Sequence, residues 1–251
     1  MSKHTKTIYL PFLMMLVLMF INSACATGGT VKNVSILTPT PTFKPVQPVS
    51  GQQLLAGPLT YVALGASDAV GVGSKEPGAQ GYVPLLAARL PNGSHLINLG
   101  ISGIHLHEAL SQELPIALST SPRLVTIWLV ANDFVAGVLF DNYMLDLNTL
   151  LKDLRTNTQA RIVMANLPDL TRLPAFSNQS PEQKTTMLTA IQKWNASIAT
   201  IAAHYNVTLV DLFTHNSALT THPEYISIDG FHPSPQGYVQ LANLFWIAIK
   251  G

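Results

Sequence analysis

An acidic residue and a histidine stand three positions apart near the end of the chain, in the segment Asp229-Gly230-Phe231-His232. An imidazole that is held by a carboxylate can act as a general base toward a serine hydroxyl. The following Pro233-Ser234-Pro235 predicts a helix start, with Ser234 as the cap and Pro235 in the first turn. The D-x-x-H pattern is short and common, so a polar loop in which the two residues occur by chance explains it equally well. A catalytic role requires a nucleophile elsewhere in the chain.

Further polar or glycine residues follow three apolar, strand-like runs earlier in the chain. Ser67 follows the first run in LGASDAVGVGS, Gly103 follows the second in NLGISGIH, and Asn132 follows the third in LVANDF. Each residue alone is typical of a turn or a helix cap. Four separate elements that deliver Ser, Gly, Asn and an Asp/His pair are harder to attribute to turns.

Apolar segments alternate with segments of helical spacing from about residue 59 onward. This alternation predicts right-handed crossovers and an α/β fold, a three-layer α/β/α sandwich around a central, mainly parallel five-stranded sheet. Ligand sites of such sheets lie at the carboxyl ends of the strands, where we expect the residues above to meet. The predicted strands cover 60–65, 95–100, 123–130, 160–167 and 207–213, and the predicted helices cover 81–90, 106–118, 141–157, 181–205 and 235–249.

The segments resemble, in the same order, sequence blocks of the SGNH hydrolases, also called GDSL-type esterases and lipases. The matching stretches are 65–68, 98–103, 131–133 and 229–232. The resemblance implies a flavodoxin-like SGNH hydrolase fold and a serine esterase that hydrolyses carboxylic (acyl or acetyl) esters through an acyl-enzyme. It implies Ser67 as nucleophile, His232 as base, Asp229 as its partner, and an oxyanion hole of Ser67, Gly103 and Asn132. It requires no cofactor and no metal.

Two blocks depart from the family pattern. Ala66 precedes Ser67 and Asp68 follows it, where Gly-Asp-Ser-Leu is usual, and Ala131 stands before Asn132, where glycine is usual. Because the positions with implied roles are retained, we expect these departures to change substrate preference and rate rather than reaction type.

Other readings of the same residues remain open. The α/β-hydrolase fold orders its triad similarly, but its G-x-S-x-G elbow does not match residues 65–69. A catalytically silent, surface-tethered glycan-binding domain that retains the fold is the alternative of another class, and the retained triad and oxyanion positions argue against it. His105 and His107 are predicted at the surface, Asp133 at a helix start or loop, and Trp128 in the core.

The first 25 residues have the features of a signal peptide. Lys3 and Lys6 precede an apolar run at 8–21, which is shorter than the roughly 20 residues that span a bilayer as a helix. The single cysteine, Cys25, follows a lipobox-like stretch at 22–24, which favours a lipidated, membrane-anchored lipoprotein over a freely secreted protein. Residues 26–57 are predicted to form a Pro/Thr/Gly-rich flexible linker, and 58–251 to form one hydrolase domain.

The amino-acid composition limits the classes of binding partner that we expect. Without the first 25 residues the chain carries 12 Lys and Arg against 13 Asp and Glu, so no basic surface favours nucleic acid. We expect a monomer whose partners are an ester substrate, which is a small molecule, glycan or lipid, and a membrane if Cys25 is lipidated. Short-chain esters, acetylated polysaccharide, and lysophospholipid or thioester remain open as substrates. Apolar segments at 134–140 and 168–180 are predicted to line the pocket and favour acyl chains.

Overall fold

A computed structural model describes residues 50–215 and 221–251 of the chain. Its centre is a five-stranded, fully parallel sheet with the strand order β2-β1-β3-β4-β5. This confirms the predicted α/β fold. The strands are β1 (Thr60–Gly65), β2 (His95–Asn98), β3 (Leu124–Trp128), β4 (Arg161–Ala165) and β5 (Thr208–Val210).

The inner strands are buried because helices cover both faces of the sheet. Every residue of β3 and β4 is buried, as expected for continuous apolar runs in a parallel sheet. The strand order reverses between β1 and β3, which pair with Gly65 opposite Trp128. The residues after β1, β2 and β3 therefore meet at one carboxyl edge, at the point where open α/β sheets bind ligands.

Ten helices of the described residues connect and flank the strands. Ser180 and Ser234 cap the helices at Pro181–His204 and Pro235–Lys250, and the sequence predicts the second of these caps. The helices are α1 (Gly51–Leu54), α2 (Ser67–Val70), α3 (Pro77–Gln80), α4 (Tyr82–Ala87), α5 (Leu106–Gln112), α6 (Leu114–Ser119), α7 (Ala131–Val135), α8 (Phe140–Asn157), α9 (Pro181–His204) and α10 (Pro235–Lys250).

The helices form two layers. On one face α4 packs against α10, where the rings of Tyr82, Tyr238 and Phe245 stack and are fully buried. On the other face α5, α8 and α9 pack in succession. The right-handed crossovers expected for the strand order place the helices in this way.

Three local features differ from the sequence predictions. The predicted helix at 106–118 is two helices, α5 and α6, with Glu113 at the junction. Asp133, predicted at a helix start or loop, lies in the first turn of α7, but this helix continues to Val135, into the segment at 134–140 that we expect to be a loop. The segment predicted as linker overlaps α1, whose Leu54 is fully buried, so the boundary at residue 57 moves toward the N-terminus.

Helix α1 lies at the amino edge of the sheet. Arg123, directly before β3, donates a hydrogen bond from Nη2 to the Gln53 carbonyl at 3.1 Å. Gly51 lies so close to the end of α10 that a Cβ there would come within 2.2 Å of the Lys250 carbonyl oxygen. The predicted signal peptide, Cys25 and most of the predicted linker lie outside the described residues. Within residues 50–215 and 221–251, no helix has the length and hydropathy needed to cross a bilayer.

Candidate active site

Ser67 is the first residue of the short helix α2, two residues after the end of β1. Its position at the carboxyl edge follows from β1, whose buried apolar residues hold this strand between β2 and β3. The residue is 7% exposed. Its backbone amide donates no hydrogen bond within the described part of the chain. The amide hydrogen is thus available to a ligand at this edge.

His232 joins Ser67 to Asp229. Its Nε2 lies 2.9 Å from the Ser67 Oγ, and its Nδ1 lies 2.6 Å from the Asp229 Oδ2. Because a carboxylate accepts at Nδ1, that nitrogen carries the proton and Nε2 is left to accept from the hydroxyl. The structure thus brings together three predicted residues, two of which are 165 positions apart along the chain.

Several donors surround the Asp229 carboxylate. Its Oδ1 accepts hydrogen bonds from the Ser227 hydroxyl at 2.7 Å and from the amides of Phe231 and His232 at 2.8 and 3.0 Å. Partial burial works to raise the pKa of Asp229, but these hydrogen bonds and the one from the imidazole hold it well below its ordinary value. The carboxylate therefore stays ionised and keeps the imidazole oriented.

Gly73 lies in close contact with the loop that carries Asp229 and His232. This glycine has φ +97°, and a Cβ on it would come within 2.4 Å of the Pro233 carbonyl oxygen and 3.1 Å of the His232 Cβ. Only glycine fits this conformation and this contact without strain. Gly73 thereby sets the distance between the segment after Ser67 and the histidine loop.

Gly103 and Asn132, the predicted oxyanion donors, line one open groove together with Phe176 and Phe231. Gly103 has φ +82°, and its amide donates no hydrogen bond among the described residues. The Asn132 Nδ2 donates to the Ile104 carbonyl at 2.9 Å, which uses one of its two hydrogens and leaves the other for a ligand.

Asp133, in helix α7 directly after β3, connects this helix to the start of α5. Both of its carboxylate oxygens accept from the Leu106 amide, at 3.1 and 3.3 Å, so that it caps α5 from another element. Burial raises the pKa of Asp133 to about 6, and the Leu106 hydrogen bond only partly offsets this effect. Together with the bond from Asn132 to Ile104, this contact fixes Gly103 relative to Asn132.

Two further acids lie buried near the nucleophile. Burial raises the pKa of Asp68 to about 6, against the opposing charge of His232. Glu113, at the junction of α5 and α6, accepts a hydrogen bond from the Gly65 amide at 3.1 Å, and burial raises its pKa to about 8. Neither acid forms a hydrogen bond with the Ser67 Oγ or with His232. The two acids therefore shape the surroundings of the site and are not members of the hydrogen-bonded series Asp229–His232–Ser67.

A second, more enclosed cavity lies next to the open groove. Asp68, Ala131, Phe231 and Pro233 line it on the side of the site, and α10 lines it on the other. Phe231 also lines the open groove. The segment at 168–180, predicted to line a pocket, contributes to both: Pro168, Leu170 and Leu173 to the enclosed cavity, and Ala175 and Phe176 to the groove.

Sequence reasoning missed three residues that shape the site: Ser227, Gly73 and Glu113. The φ of Gly73 and the hydrogen bond of Glu113 depend on tertiary structure. The only hint in the sequence was the glycine at position 73, which can indicate a positive φ or a close backbone contact. His105 directly precedes α5 and pairs with Glu108, and His107 contacts Asp146 at the surface, so neither joins the triad. Among the described residues, no group of three or more His, Cys, Asp or Glu could hold a metal ion.

Comparison with known proteins places these observations in a family. The model of the GDSL-like lipase/acylhydrolase family matches residues 63–240, which is more than half of the chain. The matched range includes Ser67, Gly103, Asn132, Asp229 and His232. No curated protein matches the chain by sequence.

Solved structures share the fold. TesA is 24% identical, with a TM-score of 0.61, over 76% of this chain and 98% of its own. A protein described as a GDSL-like lipase from Parabacteroides merdae is 21% identical, with a TM-score of 0.65, over 78% and 97%. Axe2, an acetylxylan esterase from Geobacillus stearothermophilus, is 20% identical, with a TM-score of 0.63, over 78% and 96%.

Proposed function

Because this chain belongs to the GDSL-like lipase/acylhydrolase family and is a hydrolase of ester bonds, we propose that it is a serine esterase that uses Ser67, His232 and Asp229 as a triad. The continuous hydrogen-bonded chain from Asp229 through His232 to Ser67 carries this proposal. A serine hydroxyl is a weak nucleophile at neutral pH and needs a base within hydrogen-bond reach. The distance of 2.9 Å between Nε2 and Oγ meets that need.

In the first half of the proposed reaction, the Ser67 Oγ forms a bond to the carbonyl carbon of the ester while its proton passes to the His232 Nε2. Asp229 stabilises the imidazolium that results. The carbonyl oxygen becomes an oxyanion and accepts hydrogen bonds from the amides of Ser67 and Gly103 and from the Asn132 Nδ2. Each preorganised donor of this kind contributes about 3 kcal/mol to transition-state stabilisation.

In the second half, the intermediate collapses and the bond to the alcohol breaks. The alcohol leaves with the proton from the His232 Nε2, and the acyl group remains on Ser67. Water then attacks the acyl carbon and gives its proton to His232, and the carboxylic acid departs as Ser67 regains its proton. Every proton in this cycle moves through one imidazole nitrogen, so the cycle needs no cofactor.

Hydrolysis of p-nitrophenyl acetate and butyrate by purified protein tests the proposal. We expect Ser67→Ala to abolish turnover and His232→Ala to remove most of it, with circular dichroism unchanged. Ser74→Ala is the matched control and should keep its activity, because the Ser74 hydroxyl donates to the Gly71 carbonyl and not to His232. Full activity of Ser67→Ala would refute the triad, and no turnover by the unmodified protein with any acyl length would favour the silent binding domain.

We also propose that the domain works outside the cytoplasm as a monomer, anchored to a membrane through lipidated Cys25. The signal-like composition of residues 1–25 supports this location. Mass spectrometry of the mature N-terminus tests it. A diacylglyceryl adduct on Cys25, with globomycin-sensitive processing, is the expected result, whereas a mature chain that lacks Cys25 would indicate free secretion.

A further inference from the structure

A buried carboxyl group binds the strand end that leads to the nucleophile. Glu113, at the junction of α5 and α6, is 1% exposed, and its Oε2 accepts a hydrogen bond from the Gly65 amide at 3.1 Å. Gly65 is the last residue of β1 and lies two positions before Ser67. The hydrogen bond therefore connects a helix junction, 48 positions away along the chain, to the segment that carries Ser67.

Gly65 is fixed through both of its backbone polar groups. Its carbonyl accepts from the Ile101 amide at 3.1 Å, and Ile101 lies two positions before Gly103. Because glycine has no side chain to restrict its backbone, its conformation here depends on such contacts. The carbonyl contact ties Gly65 to the segment of Gly103, and the amide contact ties it to the junction of α5 and α6.

Ala66, between Gly65 and Ser67, cannot position the turn by its own side chain, which is a methyl group. Its backbone has φ −102° and ψ −142°, a conformation that is neither helical nor extended. Its carbonyl accepts from the amides of Ala69 and Val70 at 3.0 and 3.1 Å, so α2 is attached to Ala66. The position of α2, with Ser67 at its start, therefore depends on how Gly65 is held.

The surroundings of Glu113 favour its neutral form. Its Oε1 is buried without a hydrogen-bond partner in the part of the chain that the structure describes, and none of the ion pairs found there includes Glu113. An ionised carboxyl group would lie here without a compensating charge, and burial raises the pKa of Glu113 to about 8. At pH 7 the group is mainly neutral, so glutamine reproduces both its shape and its acceptor oxygen.

We propose that Glu113 is a positioning residue for the nucleophile: its carboxyl group holds the Gly65 amide, and through Gly65 it sets the approach of the Ser67 Oγ to the ester carbonyl. The proposal rests on the proposed function for the role of Ser67. A displacement of about 1 Å can lower the rate by about 100-fold. Because Glu113 does not line the open groove, its loss should lower kcat and kcat/KM together and leave KM nearly unchanged.

Two substitutions of similar volume test the role of the acceptor oxygen. At pH 7, with p-nitrophenyl butyrate and at a temperature well below unfolding, Glu113→Met should lower kcat by about 10- to 100-fold, because methionine leaves the Gly65 amide without its acceptor. Glu113→Gln should keep kcat within about threefold of the unmodified protein. A kcat for Glu113→Met within twofold of the unmodified protein, or an equal loss in both variants, would overturn the proposal.

Thr126→Val is the matched control for weakening of β1. The Thr126 Oγ1 lies 2.8 Å from the Tyr61 hydroxyl, so this variant also removes a buried hydrogen bond to β1, but at a point six positions before Ser67. It should lower the free energy of unfolding and leave kcat unchanged. If Thr126→Val lowered kcat as much as Glu113→Met does, the loss would reflect a general weakening of β1, and the proposal would fail.

Labelling of Ser67 by an alkyl fluorophosphonate gives a second readout and separates the two proposals. In this reaction the Ser67 Oγ forms a bond to phosphorus and fluoride leaves. The labelling rate should fall in Glu113→Met by about the same factor as kcat and stay near normal in Glu113→Gln, while complete labelling measured by mass spectrometry counts the folded sites. Full ester hydrolysis by Ser67→Ala would refute the triad itself. An inactive Ser67→Ala beside a fully active, normally labelled Glu113→Met would refute the role of Glu113 alone.

Discussion

Glu113→Gln should make the stability of the protein less dependent on pH. Glu113 is 1% exposed, and burial raises its pKa from an ordinary value of 4.5 to about 8. Between these two pH values the native protein holds a proton that the unfolded chain has released. The free energy of unfolding contributed by this group is therefore fully present below pH 4.5 and is lost as the pH rises to about 8.

The size of the effect follows from the pKa shift. A shift from 4.5 to about 8 corresponds to at most about 5 kcal/mol, at about 1.4 kcal/mol per pH unit. About 3 kcal/mol of this lies between pH 5.5 and pH 8. Glutamine cannot ionise, yet its side-chain oxygen can still accept the hydrogen bond from the Gly65 amide. The Gln variant should therefore lose less stability than the unmodified protein as the pH rises.

Urea unfolding at pH 5.5, 7, 8 and 9 measures this difference by linear extrapolation. The gap between Glu113→Gln and the unmodified protein should widen by about 3 kcal/mol from pH 5.5 to pH 9 in favour of glutamine. Asp68 and Asp133 titrate in both proteins and cancel in the gap. Glu76→Gln, at an exposed position, is the control and should show a constant gap. A constant gap for Glu113→Gln as well would show that Glu113 is already ionised in the native state, and would refute the reasoning.

Three further predictions concern the site. Asp229→Asn should lower kcat by about 10³- to 10⁴-fold in steady-state assays with the fold intact by circular dichroism, since asparagine favours the wrong imidazole tautomer; a loss below tenfold would contradict this role. Gly73→Ala should cost about 1–3 kcal/mol in urea unfolding and also lower kcat, because a Cβ collides with the histidine loop, whereas Gly78→Ala, with nothing within 4 Å, should be neutral or stabilising. Asp133→Ala should lower kcat by about 10- to 100-fold with little change in KM, since a methyl group cannot accept from the Leu106 amide and the segments that carry Gly103 and Asn132 lose this tie; an unchanged kcat would show that the tie is dispensable.

The sheet could be predicted from the sequence because its pattern is strong. The runs that become β3 and β4 are apolar except for Thr126 and Arg161, and each lies between segments of clear helical spacing. The start of α10 was also predictable, since Ser234 and Pro235 are favoured at the cap and the first turn. In these places local preference and tertiary structure agree.

The remaining features depend on contacts between distant parts of the chain. The junction at Glu113 exists because its carboxyl group reaches the Gly65 amide, 48 positions away, and no local pattern marks it. Helix α1 lies in a proline-rich stretch and is ordered by packing on α10. The four blocks predicted which side chains share the carboxyl edge, but the hydrogen bond between Ser67 and His232, and the cavity beside it, depend on the assembled loops.

Helix α1 also fixes where the polypeptide enters the folded body. Its contacts with Arg123 and Lys250 bring residue 50 beside the end of α10, at the amino edge of the sheet. Ser67 lies at the opposite edge, a full strand length away. Immobilisation on a resin through the C-terminus, or attachment of a carrier directly at residue 50, therefore leaves the edge that carries Ser67 turned toward the bulk solution, where bulky substrates can approach.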